Sequence, residues 1–260
     1  VTVTSLTYGF SIFIMAVFGS IVGSFLNVCI YRIPEGQSIA FPGSHCPQCE
    51  QPIKFYDNIP IVSYLILRGR CRTCKTEISP QYPIVEFITA SLSVLLFWRY
   101  GLSLQYLAAF SFTCALIIIT FIDLKHQIIP DIITLPGIPV FFLFAIFIMN
   151  LRLIDAVMGI IIGGGILYVI AFAYELLRKT EGMGGGDIKL LAMMGGFLGW
   201  QSLWFIIMVS SILGAVIGIT AMMMKKKDMQ YAVPFGPFLS VAAVGYLFFG
   251  EYVTRLLFLR

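Results

Sequence analysis

Eight long stretches of this chain are almost free of charge, at about residues 8–31, 82–98, 102–122, 132–149, 153–174, 187–200, 202–224 and 231–254. Such stretches read as membrane-crossing helices, because a helix satisfies its own backbone hydrogen bonds in hydrocarbon and about 20 apolar residues are needed to cross it. Only 12% of the 260 residues are charged, against about 25% in a soluble globular domain, which excludes an ordinary soluble fold. The expected fold class is all-α: a polytopic membrane protein with about eight transmembrane helices and a small polar insert at residues 32–81. The first run is too long for a cleavable signal peptide and has no Lys or Arg before it, so it is expected to stay in the chain. The sixth is short, since 14 residues reach only about 21 Å, and it is expected to begin in a non-helical segment within the membrane. No heptad, low-complexity tract or internal repeat stands out. The domain division expected is therefore 1–31 as a first transmembrane helix, 32–81 as the insert and 82–260 as a transmembrane bundle.

The basic residues orient the chain. With the N-terminus outside, thirteen fall in inside connections: Arg32, Lys54, Arg68, Arg70, Arg72, Lys75, Lys125, Arg178, Lys179, Lys189, Lys225, Lys226 and Lys227. Four fall outside: Arg99, Arg152, Arg255 and Arg260. Because positive connections stay in the cytoplasm, both termini are expected outside and the 32–81 insert in the cytoplasm. A net charge of +4 without an aromatic-interleaved basic face gives no sign of nucleic-acid binding.

The insert carries Cys46-Pro-Gln-Cys49 and Cys71-Arg-Thr-Cys74. Two such pairs can present four thiolates tetrahedrally to Zn²⁺. Two disulfides are the competing reading, disfavoured by the reducing cytosol on which the charge pattern places the insert. A closed four-cysteine site has no open position for catalysis, so the zinc is expected to be structural and to fold a segment too polar to build its own core. Cys29 and Cys114 lie in apolar runs and read as small buried hydrophobes.

Ionisable groups in or beside spans are expensive and point to function. The acids in question are Glu86, Asp123, Asp131, Asp155, Glu175 and Asp187, with His126 near a span end and Glu181 in a connection. Asp155 reads as an outer-interface residue, Glu175 and Glu181 as part of a solvated loop, and His126 as an interface hydrogen-bonder. Asp123 closes the third run and Asp187 opens the sixth, both on the cytoplasmic side of the expected topology. Two carboxylates at one level can share a water and a proton, one acting as base while the other donates a hydrogen bond. The bland alternative for each is an N-cap or an interface residue. Gly184, Gly185 and Gly186 precede Asp187; three glycines permit positive φ and the close approach of another backbone, which fits an extended peptide beside a carboxylate.

Six segments occur in an order that carries a resemblance: GSFLNVCIYRIP, the paired cysteines flanking NIPIVSYLILRGRC, YPIVE, IDLKHQIIPD, GMGGGDIKLLAMMGGFLGW and VPFGPFL. The sequence resembles the type IV prepilin peptidases, bacterial aspartyl proteases of the GxGD class. The resemblance implies Asp123 and Asp187 as the catalytic pair, Gly184, Gly185 and Gly186 beside the substrate, and Asp131 in a supporting position. It implies a multi-pass protein of the bacterial inner membrane that removes the short basic leader of prepilins or pseudopilins on the cytoplasmic side, after a glycine. For members with the four cysteines it also implies N-methylation of the new N-terminus, with S-adenosylmethionine as methyl donor. No S-adenosylmethionine site is legible, Gly69 and Arg70 being only loose candidates. The alternatives are a peptidase of the same class that does not methylate, a transporter using Asp123, Glu86 and Asp187 as a proton or ion relay, and an assembly scaffold binding through the insert.

Overall fold

A computed structural model describes residues 3–178, 184–225 and 234–258. Each apolar run is a helix: α1 (Val3–Arg32), α3 (Gln81–Tyr100), α4 (Leu104–His126), α5 (Asp131–Phe147), α6 (Leu153–Arg178), α7 (Gly185–Leu198), α8 (Trp200–Lys225) and α9 (Gly236–Phe258), with a one-turn helix α2 (Val62–Ile66) in the insert. No strand occurs among the described residues; the insert holds two isolated bridges, His45 to Pro52 and Arg70 to Glu77. Among the described residues, four helical stretches are long and apolar enough to cross a membrane: Tyr8–Arg32, Gln81–Tyr100, Leu104–His126 and Trp200–Thr220. Asp131–Phe147, Leu153–Ile166 and Gly236–Gly250 are apolar but shorter. The chain divides into two compact units, residues 1–118 and 119–260.

In the first unit α1 and α3 form an antiparallel pair. Ser93 Oγ donates to Met15 O at 2.8 Å near one end, and Asn27 Nδ2 to Tyr82 O at 3.0 Å near the other. Between these ties the helices touch through Gly19 and Gly23, one turn apart. A Cβ on Gly19 would lie 2.8 Å from Ala90 Cα, and one on Gly23 2.7 Å from Glu86 Cα. Small residues at i and i+4 allow this approach, which dispersion and packing reward in a membrane where no hydrophobic effect draws helices together.

In the second unit α7 is the axis. Leu190 through Phe197 are all buried, and α7 packs against α5, α6, α8 and α9. A helix walled by protein over most of its length, here Leu190 to Phe197, need not match the bilayer thickness, which suits its 14 residues. On α6, Gly159 and Gly163 face α7 directly: a Cβ on Gly159 would fall on the Gly195 carbonyl, and one on Gly163 would lie 2.6 Å from Leu191 O. Gly199 ends α7 at φ +85°, a conformation in which glycine carries no steric penalty, and α8 starts at the next residue.

Asp155, expected at an outer interface, is buried. It accepts from Arg152 Nε at 2.7 Å, Trp200 Nε1 at 3.1 Å and Gln201 Nε2 at 3.4 Å, tying the start of α6 to the start of α8. The run pattern showed its place along the chain, but not that α8 brings it donors.

Candidate functional site

Three helix ends of the second unit meet around Asp123. This residue sits in the last turn of α4, 5% exposed, and its Oδ2 accepts the backbone N–H of Gly236, the first residue of α9, at 3.0 Å. Asp187 lies in the first turn of α7, within electrostatic reach of Asp123. Its Oδ1 is buried and receives no hydrogen bond from any described residue, and such a group is uncommon enough to need an explanation. Ile129, in the α4–α5 link, packs against both sides of the site. Its Cβ lies 2.8 Å from where a Cβ on Gly186 would stand, and its Cδ1 3.3 Å from where one on Gly236 would stand. One side chain thus spaces the residue before Asp187 from the residue that holds Asp123.

The positive φ that three glycines permit is not used here. None adopts positive φ; Gly184 is extended (φ −64°, ψ 133°) and Gly185 and Gly186 begin α7. What requires a glycine is proximity at Gly186, against Ile129. Gly184 and Gly185 have open space where a Cβ would be and border Asp187, whose Oδ1 lacks a partner among the described residues, as bare backbone. Asp131, at the start of α5, accepts from Lys189 Nζ at 2.7 and 2.8 Å, pinning α5 to α7 two residues beyond Asp187. Gly236 lies in the VPFGPFL segment, but no pattern along the chain assigns it to Asp123, 113 residues away. Ser240, one turn further along α9, is buried with a hydroxyl that lacks a partner among the described residues.

Glu86 belongs to the first unit and is engaged there, its Oε2 accepting the N–H of Ile61 at 2.7 Å. Glu181 lies outside the described residues, as does the side chain of Glu175.

The four insert cysteines come together in the first unit, every pair of sulfurs within 4.8 Å. The two Cys-x-x-Cys turns repeat one backbone scheme. In the first, Cys46 N–H donates to Gln51 O and Glu50 N–H to Cys46 O; in the second, Cys71 N–H donates to Thr76 O and Lys75 N–H to Cys71 O. Glu50 and Lys75, each following the second cysteine of its turn, both adopt positive φ, 56° and 60°. This short duplication does not stand out in sequence because only the cysteines and one isoleucine, Ile53 and Ile78, are shared. All four are free thiols rather than disulfides. Hydrogen bonding with the Thr76 side chain and backbone lowers the Cys74 thiol to about 6.

Residues 17–100 match the model of the bacterial peptidase A24 N-terminal domain, and residues 110–219 that of the type IV leader peptidase family. The chain belongs to the type IV leader peptidase family. It is 38% identical over 248 residues to a prepilin leader peptidase/N-methyltransferase of Pseudomonas putida, covering 87% of this chain and 86% of that one. It is 40% identical over 257 residues to one of Neisseria gonorrhoeae (90% and 88%), and 35% over 260 to one of Pseudomonas aeruginosa (91% and 90%). No solved structure matches the chain. Asp123 and Asp187 both fall within the stretch matched by the peptidase family model, and the four cysteines within the stretch matched by the N-terminal domain.

Proposed function

We propose that this peptidase cleaves the basic leader from prepilins or pseudopilins with Asp123 and Asp187 as its catalytic pair, and N-methylates the new N-terminus. The observation that carries the peptidase assignment is the pairing of a carboxylate anchored through one oxygen with a second whose buried Oδ1 has no partner. A dyad of this kind holds one proton and one water. Asp123, its Oδ2 fixed by the Gly236 N–H, takes a proton from the water as its oxygen attacks the scissile carbonyl carbon. Asp187 gives its proton to the carbonyl oxygen. The tetrahedral intermediate then collapses: the C–N bond breaks, the proton held by Asp123 passes to the departing amine, and one gem-diol hydroxyl returns its proton to Asp187, which leaves the product carboxyl group and restores the starting dyad. The peptide must be extended for its carbonyl to be reached, since a helix hides its carbonyls in i to i+4 bonds. The uncovered backbone of Gly184 and Gly185 suits such a strand.

The thiol cluster fits Zn²⁺. Four thiolates at about 2.3 Å from zinc stand about 3.8 Å apart in a regular tetrahedron, and Cys46 Sγ and Cys74 Sγ are 3.8 Å apart. Cys46, Cys49, Cys71 and Cys74 would close the coordination sphere, so the metal supplies folding free energy to the insert and no reactive position. S-adenosylmethionine has no such cradle among the described residues. The polar atoms left unpartnered, Asn27 Oδ1, Asp187 Oδ1 and Ser240 Oγ, lie on three separate helices and form no seat for a base and ribose. Methylation is therefore supported by the names of the relatives alone. The eight apolar runs and the family support eight spans in the bacterial inner membrane, and the excess of Lys and Arg on one side supports Asp123, Asp187 and the insert in the cytoplasm with both termini outside.

The test is incubation of the purified protein with a prepilin in detergent, with and without S-adenosylmethionine, followed by mass measurement of the product. Loss of the leader in both, with a methyl group gained only in the second, is expected. An intact prepilin would overturn the peptidase reading, and an unmethylated product the second activity.

A further inference from the structure

The insert does not simply stand off the ends of α1 and α3. Ile61, which leads into α2, donates its N–H to Glu86 Oε2 at 2.7 Å, and Glu86 lies five residues inside α3. The Glu86 backbone is about 7.5 Å along that helix from its start, and a helical side chain leans back toward the N-terminus, so the bond lies beside the first turns of α3. The chain therefore turns back from the insert to the start of a helix long and apolar enough to cross the bilayer. Ile61 holds φ +62° to do so, a costly conformation for a β-branched residue that the buried Glu86 carboxylate secures.

There α2 is sided. Ser63 is buried and bonded inward, donating to Tyr56 O at 2.9 Å and accepting from Ile59 N–H at 3.1 Å. Val62, Leu65 and Ile66, spaced i, i+3 and i+4 on one helical face, point out, with Leu65 68% and Ile66 70% exposed. Ile59, preceding them, is exposed as well, and so is Phe87, the neighbour of Glu86 on α3. Apolar side chains are thus exposed both on α2 and on the first turns of α3, the helix to which Ile61 is tied. Arg68 and Arg70 follow directly, charges that suit an anionic headgroup layer.

The geometry points to α2 as an interfacial membrane element, with Val62, Leu65 and Ile66 seated among the lipid acyl chains of the leaflet in which α1 ends and α3 begins. Its occupant is lipid, because the face follows a residue tied to the first turns of a transmembrane segment and is flanked by cations. The insert is then held at the bilayer surface at two points, the α1–α3 pair and α2. This rests on the membrane reading of α1 and α3 and is independent of the peptidase assignment.

The test places the photo-crosslinker p-benzoylphenylalanine singly at Leu65, Ile66, Phe87 and Glu77 in the full-length protein, reconstituted in vesicles of phosphatidylethanolamine and phosphatidylglycerol. Illuminated protein is analysed by mass spectrometry. Phospholipid adducts at Leu65 and Ile66 matching those at Phe87, with none at Glu77, are expected. Loss of lipid adducts at both α2 positions while Phe87 retains its own would overturn the inference. So would adducts at both positions that are solely to protein, which would make this face a contact between chains. The two α2 positions are read separately, so a variant that fails to insert leaves the other as the deciding measurement.

Discussion

Replacing Gly236 by alanine isolates the contact that holds Asp123, one of the two carboxylates proposed as the catalytic pair. A Cβ there would stand 2.7 Å from Asp123 Oδ2, with Ile129 Cδ1 at 3.3 Å limiting escape to the other side. A carbon and an oxygen settle at about 3.3 Å or more, so the carboxylate must retreat by roughly 0.6 Å. That retreat weakens the 3.0 Å bond from the Gly236 N–H. A hydrogen bond to a charged group is worth about 1.5–3 kcal/mol, and tenfold in rate corresponds to about 1.4 kcal/mol. The expected outcome is a fall in kcat of roughly ten- to a hundredfold, with KM little changed because Gly236 holds the acid and not the substrate. Helix α9 itself should be unharmed, alanine being the better helix former. The assay is the initial rate of prepilin cleavage by purified protein, with thermal unfolding measured in parallel. Gly245→Ala is the control: it lies on the same helix, and its Cβ would meet Phe205 Cε1 at an ordinary 3.8 Å. Wild-type kcat in Gly236→Ala, or an equal loss in Gly245→Ala, would refute the positioning argument.

Asp123→Asn and Asp187→Asn should each abolish cleavage in protein that still folds and binds metal, since an amide cannot exchange the proton; the wild-type rate should fall at both low and high pH, because the active dyad carries one proton. Substantial turnover by either folded variant would remove the aspartyl mechanism. Gly186→Ala should cost roughly 1–3 kcal/mol of stability, as overpacking does, because its Cβ meets Ile129 Cβ at 2.8 Å, whereas Gly185→Ala, in open space, should unfold like the parent; equal melting temperatures would contradict the packing role. Metal analysis should find one Zn²⁺ per chain, lost on Cys74→Ser and released as pH falls, because the ligands must be thiolates; a Cys74→Ser protein with full zinc content would dismiss the four-sulfur site. In the insert, Arg72 Nη2 lies 2.6 Å from Asp57 Oδ1 and holds the Asp57 carboxyl below its ordinary range. The pair should therefore stabilise the insert above about pH 4, the free carboxylate value, and lose that contribution as pH falls through the lowered one. Arg72→Gln should flatten this acid dependence, as measured by unfolding at several pH values.

Much of the architecture was legible because it is local. A run of twenty apolar residues can satisfy its backbone in lipid only as a helix, and each run is one. Cys-x-x-Cys spacing requires only a tight turn, so the thiol cluster was visible in the letters. The glycine pairs Gly19/Gly23 and Gly159/Gly163 were readable as small residues one turn apart, but not the helices they would approach.

The remainder was decided by tertiary structure, because it depends on which distant backbone arrives at a given side chain. Asp123 is held by an N–H from another helix, and the burial that leaves Asp187 Oδ1 unpartnered exists only once α7 is surrounded. Asp155 owes its donors to the start of α8, and Glu86 meets Ile61 only because the insert folds back to α3. Gly184, Gly185 and Gly186 show the division within three letters. Their sequence announced a bare backbone beside an acid, which chemistry at an extended peptide needs. Only the arrival of Ile129 determined that Gly186 must be glycine for lack of room, while Gly184 and Gly185 remain open, since space around a backbone is a property of its neighbours and not of its own residues.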